Sequence, residues 1–231
     1  MTPDIVSEPV FGITLTLAAY LLGLVIYRKT KSVLLHPMLT ALVLIVAFLM
    51  LTGISYESYN TGGQLITFLL GPATVALAIP MYRQIKLLRE NLVTILASNL
   101  FAASFGVLLV PVLGIISGAD PLFMISVVPK SVTTPIAVGI AEQLGGEPSL
   151  TVSLTIVHGL LGGMFGPELH RLFRIKSKMA RGLTMGMTAH GLGTARALEE
   201  SEYEGALAGL AIGLMGLFTA LTAPLIVGFF I

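Results

Sequence analysis

The sequence predicts an all-α polytopic membrane protein, with about six full transmembrane helices plus two interrupted or re-entrant helical elements in inverted relation. Three observations point there. Of the 231 residues, 55% are hydrophobic and 11% charged, against roughly 25% charged in an ordinary soluble domain, and the mean hydropathy is +0.93. Apolar runs near the length that crosses a bilayer, about 20 residues, recur along the whole chain. Two further apolar stretches are interrupted by polar and charged residues: "SVVPKSVTTPIAV" at 126–138 and "AHGLGTAR" at 189–196.

In chain order, full spans are expected at about 9–27, 34–53, 64–82, 92–117, 149–170 and 205–231. The N-terminus carries Asp4 and Glu8 rather than a basic leader, so the first run reads as a retained span. Lysines and arginines of short loops stay cytoplasmic. Arg28, Lys29 and Lys31 follow the first span, Arg83, Lys86 and Arg89 the third, and Arg171, Arg174, Lys176, Lys178 and Arg181 the one ending near 170. The connections at 55–63 and 117–120 hold no lysine or arginine, which places them outside together with the N-terminus.

Between Asp120 outside and Arg171 inside, the chain must cross an odd number of times, and 149–170 supplies one crossing. The stretch 121–144 then crosses zero times, as a hairpin from outside with its tip near 129–135. Arms of eight to ten residues reach about 12–15 Å, half a hydrocarbon core. The stretch 180–205 starts from the cytoplasmic side, broken near 190–196. Opposed broken elements are the pattern of inverted repeats in secondary transporters. Two discontinuous, fully crossing helices are the alternative. The chain forms one transmembrane domain, with 1–63 expected as scaffold or dimer spans and 64–231 as transport core.

A helix break inside a membrane leaves backbone groups that protein or water must satisfy, so it lines a cavity. The half-helix starting near Thr133 and Thr134 offers N–H groups and a positive dipole end to an anion, beside the hydroxyls of Ser131, Thr133 and Thr134. Lys130 is the one charged residue between Asp120 and Glu142. An intramembrane ammonium marks a functional site by default, here for a substrate carboxylate, with snorkelling to an interface as the rival. At the second break, Gly191 and Gly193 loosen the helix, Thr194 adds a hydroxyl, and His190 is suited to exchange protons. Arg196 either grips a carboxylate or pairs with Glu199, Glu200, Glu202 or Glu204. Elsewhere, Pro72 and Pro80 are expected to kink a span toward the cavity and expose Thr74 to it. His158 reads as a buried hydrogen-bonding residue, and Gly205, Gly209 and Gly213 as a helix-packing stripe.

Other classes are excluded by what is missing. There is no cysteine, hence no disulfide, thiol catalysis or thiolate metal site. A net charge of +1 with no basic face excludes nucleic acid. The four histidines are dispersed without metal-ligand spacing, and no Walker loop or serine elbow occurs. No enzyme, metal or cofactor is expected, and proton or sodium coupling stays open.

"PKSVTTPIA" at 129–137, "ARGLTMGMTAHGLGTARA" at 180–197 and "FLMLTGISYESY" at 48–59 closely resemble the LrgB/CidB family of bacterial membrane proteins, over nearly the whole chain. The family is known as antiholin-like or holin-like regulators of murein hydrolase and lysis, encoded beside an LrgA/CidA-type membrane partner. Its plant relatives are plastid glycolate/glycerate translocators, and some bacterial members are linked to pyruvate movement. The resemblance implies a bacterial plasma-membrane carrier of small monocarboxylates working by alternating access. It also implies an LrgA/CidA-like subunit, and a homodimer is compatible with it. The alternative is an antiholin-like regulator of lysis.

Overall fold

The computed structural model describes residues 8–30, 32–69, 72, 75–76 and 78–230. Among them all regular structure is helical. Asp4, Lys31 and Thr74 lie outside the described residues. The chain divides into two compact units, Met1–Ala76 and Leu77–Ile231, whereas the sequence reading drew its line between 63 and 64.

The first unit contains α1 (Pro9–Thr30), a 3-10 turn (Val33–Leu35), α2 (Pro37–Thr52) and α3 (Tyr56–Phe68). α1 is apolar around its whole circumference, with Leu17, Leu21, Leu22 and Val25 exposed, as suits a helix surrounded by hydrocarbon. Its buried residues are small: Gly12, Ala19 and Gly23. A Cβ on Gly12 would collide with the Tyr59 carbonyl, and one on Gly23 would stand 2.8 Å from that of Pro37. Glycine therefore lets α1 approach both α3 and α2 backbone to backbone. Thr16 Oγ1 and Tyr59 OH, 2.9 Å apart, add a hydrogen bond between α1 and α3. The expected span 34–53 is the 16-residue α2, ended by Gly53 in the left-handed conformation. The expected span 64–82 is not one helix, because α3 begins earlier, on its Ser55 cap, and ends at Phe68.

The second unit contains α4 (Ala78–Arg83), α5 (Ile85–Glu90), α6 (Leu92–Ser117), α7 (Pro121–Val127), α8 (Thr134–Leu144), α9 (Pro148–Leu172), α10 (Lys178–Glu200) and α11 (Glu202–Val227). Of the described helices, α1, α6, α9 and α11 are long and apolar enough to cross a membrane. α6 packs against α11 through a core that includes Ile95, Val107, Leu207 and Ala211, while Phe101, Phe105, Leu221 and Leu225 stay exposed.

Two sequence signals of the form Gly-x-acid-Pro bound the first hairpin. Gly118 (φ 69°) ends α6, and Asp120 caps α7 by accepting from Leu122 N at 2.8 Å, with Pro121 opening the helix. Gly145 (φ 82°) ends α8, and Glu147 caps α9 by accepting from Ser149 N, with Pro148 opening it. Both combine a left-handed C-terminal residue, a side-chain cap and a proline placed where no N–H is missed.

α7 runs back along α6. Gly114 lies under Met124, and Lys130 Nζ reaches the Gly106 carbonyl. Residues 128–133 turn, and α8 returns. Ser126 Oγ then accepts from Glu147 N at 2.8 Å, while the Ser126 carbonyl accepts from Thr151 Oγ1 at 3.0 Å. These bonds latch the hairpin to the start of α9.

α10 is also a hairpin, reversing at His190 (φ 38°, ψ −123°). Met185 and Ala197 share one buried cluster, although a straight helix would set them about 18 Å apart. A Cβ on Gly193 would collide with the Met185 carbonyl, so glycine lets the second arm lie on the first. Both ends of the hairpin meet the start of α11. A Cβ on Gly182 would stand 2.6 Å from the Glu204 carbonyl, and one on Gly205 2.6 Å from Leu198. Of the expected stripe on α11, Gly205 is in close contact, Gly209 meets Met81 loosely and Gly213 meets nothing.

The hairpins enter from opposite ends of α9. The first is latched at Thr151 near its start, and the second at its end, where His170 Nε2 and Thr184 Oγ1 lie 2.8 Å apart. This geometry has a direct topological consequence. Because the chain has no cysteine, single cysteines at Ala119 and Gly146 should react with an impermeant thiol reagent from one side of the membrane, and those at Ser177 and Ser201 from the other. Labelling of Ala119 and Gly146 from opposite sides would mean that 121–144 crosses completely.

Candidate functional site

The two tips reach the middle of α9. From the first, Ser131 Oγ lies 3.3 Å from His158 Nε2. From the second, His190 Nε2 lies 3.2 Å from the Thr155 carbonyl, and its ring sits where a side chain on Gly159 would be. Thr155, His158 and Gly159 fall within about 6 Å of rise along the α9 axis.

The turn at 128–133 comes from its prolines. Pro129 disfavours helix at the residue before it, and Pro135 belongs in the first turn of a helix rather than further in. α8 accordingly starts at Thr134, with Thr133 as N-cap in extended conformation and without a side-chain cap bond. Lys130 is half-buried, and the one hydrogen bond its ammonium makes among the described residues, to Gly106 O, is 3.5 Å long, at the edge of what counts as one. An ammonium has three donors, and none of the described ion pairs includes Lys130. Gly106 lies near the middle of α6, so this cation stands deep between the membrane-crossing helices. Thr133 and Thr134, which follow it in the chain, are half-buried.

The second tip differs in detail from its sequence reading. The break falls on His190, not on either glycine. A φ of 38° in a residue with a Cβ is strained, a feature that concentrates at functional sites. Here the ring is fixed by the Thr155 carbonyl and by the gap at Gly159. Gly191 is exposed with open space around its Cα. Thr194 is fully buried, its Oγ1 without a partner, on the side facing Gly209 of α11. Arg196 lies away from the tip, at the open end of the hairpin, paired with Glu199 and, at 3.8 Å, with Glu200.

Thus Ser131 and His190 meet the same part of α9, at His158, Thr155 and Gly159, with Lys130, Thr133 and Thr134 close to Ser131 along the chain, whereas Arg196 does not join them. Sequence reasoning missed Thr155 and Gly159 as parts of this zone. The small residues of "VHGLLGG" signalled a close approach, but not which side chain makes it. Thr155 Oγ1, fully buried, has no hydrogen-bond partner among the described residues. Among the described residues no group of three His, Asp or Glu side chains could hold a metal ion. The arrangement offers an anion an ammonium, hydroxyls and imidazoles, with no carboxylate among the gathered side chains.

Residues 16–229 match the model of the LrgB-like family. The chain belongs to the LrgB family. It is 38% identical to "Uncharacterized protein YxaC" of Bacillus subtilis, over 94% of this chain and 95% of that protein. It is 35% identical to proteins named "Antiholin-like protein LrgB" in Bacillus mycoides and Bacillus cereus, over 96% of each chain. No solved structure matches it. As an LrgB-family chain with several apolar crossing helices it is a membrane protein.

Two variants of this LrgB-family site test the seat of His190. Gly159→Ala should drive the imidazole off the Thr155 carbonyl and destabilise the protein by about 1–3 kcal/mol, the usual cost of overpacking. Gly191→Ala should unfold close to the parent temperature. His190→Gly should be more stable than His190→Ala, because glycine adopts the tip conformation freely. Thermal unfolding in detergent reads all three.

Proposed function

We propose that the protein is a secondary carrier of small monocarboxylates, of the glycolate, glycerate or pyruvate type, in the bacterial plasma membrane. One observation supports this reading above the others: among the described residues the Lys130 ammonium, level with the middle of α6, has one long hydrogen bond and no ion pair. A charge so placed is costly unless something pairs with it, and a carboxylate provides the missing partner. Ser131, Thr133 and Thr134, with the start of α8, supply neutral donors around that carboxylate. His190 and His158 supply groups able to hold or release a proton, which suits proton-coupled movement.

Broken elements reaching mid-membrane from opposite ends are the arrangement through which alternating access exposes one site to each side in turn. The basic loops support an N-terminus outside. The polar tips then reach from both sides toward one shared locus.

The name "Antiholin-like protein LrgB" borne by relatives at 35% identity favours a second reading, a regulator of murein hydrolase activity and lysis acting with an LrgA/CidA-type membrane partner. Carboxylate movement would reach lysis indirectly, through the proton and acid balance of the cell. Such names favour the regulator, and the paired polar tips favour the carrier.

Uptake of labelled glycolate and pyruvate into proteoliposomes separates them. The parent chain should accumulate at least one of the acids, and Lys130→Gln should lower the rate by about tenfold or more, the worth of one charge-assisted hydrogen bond. Lys130→Arg should keep part of it. A parent chain that moves no small acid, alone or with an LrgA-type partner, while still altering autolysis in cells, would favour the regulator.

A further inference from the structure

A cavity of about 500 Å³ lies away from the tips, where the open end of the α10 hairpin meets the ends of α9 and α11. Five cationic side chains line it: Arg171, Arg174, Lys176, Arg181 and Arg196. Two carboxylates, Glu200 and Glu204, oppose them. The volume falls in the range of cavities for drug-sized ligands, about 300–1,000 Å³, and exceeds what a two- or three-carbon acid fills.

The cations divide into two groups. Arg181 is bound to the buried Glu204 at 2.7 Å, Arg171 to Glu168 at 2.8 Å, and Arg196 to Glu199 and Glu200. Arg174 and Lys176 form no ion pair among the described residues. Arg174 is held in the left-handed conformation (φ 54°), at a helix end closed by Arg174 N to Arg171 O at 3.1 Å and Ile175 N to His170 O at 2.8 Å. Two arrangements thus coincide: three arginines fixed by carboxylates, and Arg174 and Lys176 left for an external anion.

A second observation concerns the rim. Leu172 and Phe173, between Arg171 and Arg174, are 73% and 70% exposed. Large apolar side chains beside unpaired cations at the end of a membrane-crossing helix fit the boundary between acyl chains and headgroups, where basic pockets take anionic phosphate groups. Arginine binds phosphate oxygens bidentately and lysine binds them as a point charge.

We infer that this cavity is a phosphate-ester site, in which Arg174 and Lys176 bind the phosphate of an anionic phospholipid headgroup or of a soluble phosphate ester. The site does not depend on what the tips transport. Its ligand would join the end of α9 to the base of the α10 hairpin, through cations already anchored on both elements.

The test uses the full chain in nanodiscs of dioleoylphosphatidylcholine, with dioleoylphosphatidylglycerol titrated in, and separately with glycerol 3-phosphate added against a glycerol control. Thermal unfolding reports binding. Phosphatidylglycerol should raise the midpoint, and R174Q/K176Q should need about tenfold more of it for the same rise, while R174K/K176R should behave like the parent. Equal stabilisation by glycerol 3-phosphate in the neutral lipid would identify soluble esters as the ligand source. If R174Q/K176Q does not fold, K176Q alone should show a smaller loss in the same direction. Absence of stabilisation by either phosphate compound, or an unchanged response in the charge-neutral variant, would overturn the assignment.

Discussion

Hydrocarbon offers no hydrogen bonds to a peptide backbone, and most features of the second unit follow from that constraint. A chain that stops its helix in mid-membrane must bury the broken end against other protein. Here two such ends lie against one helix. The middle of α9 presents the Thr155 carbonyl, the His158 ring and the bare backbone of Gly159, and each meets a group from a tip. Prolines define the first tip and a strained histidine the second. Small residues elsewhere, at Gly182, Gly186 and Gly193, keep the hairpin arms and α11 close enough to hold the reversed chain in place.

The same constraint separates the charges by position. Near the basic end of α9 and α10, three arginines are neutralised by partners, Arg181 by Glu204, Arg196 by Glu199 and Glu200, and Arg83 by Glu202 at 3.1 Å, whereas Arg174 and Lys176 form no ion pair among the described residues. Glu204 is 2% exposed, and its pairing with Arg181 ties the first arm of the hairpin to α11. At the first tip, Lys130 forms no ion pair among the described residues. Under the proposed carrier function, a substrate carboxylate is the group that pairs with it.

Much of this architecture was legible in the amino-acid order. Loop arginines and the odd count of crossings between Asp120 and Arg171 led to the first hairpin, and the prolines at 129 and 135 located its turn. The second reversal was less legible. Glycine is the residue expected to bend a helix, so Gly191 and Gly193 drew attention, whereas the chain turns at His190 and uses Gly193 for close contact. Nothing local in "TAHGLG" assigns the left-handed conformation to the histidine. That assignment depends on the ring finding Thr155 and Gly159, some thirty residues away. For Arg196 the sequence left two readings open, a carboxylate ligand or a pair with a nearby glutamate, and the structure shows the i to i+3 and i to i+4 pairs with Glu199 and Glu200, contacts that compete locally with any ligand. The repeated Gly-x-acid-Pro signals at 118–121 and 145–148 were visible in the sequence, and their role as paired stop and start sites emerged with the caps.

The central claim is that both tips meet the middle of α9 at once, and cross-linking of paired cysteines tests it most directly, since the chain contributes no thiol of its own. One chain carries cysteines at Ser131 and His158, another at Gly159 and His190, each in native membranes with a short thiol-bridging reagent. Efficient intramolecular cross-linking of both pairs is the predicted result. A chain in which either pair fails to cross-link while folding normally would place that tip elsewhere and contradict the account.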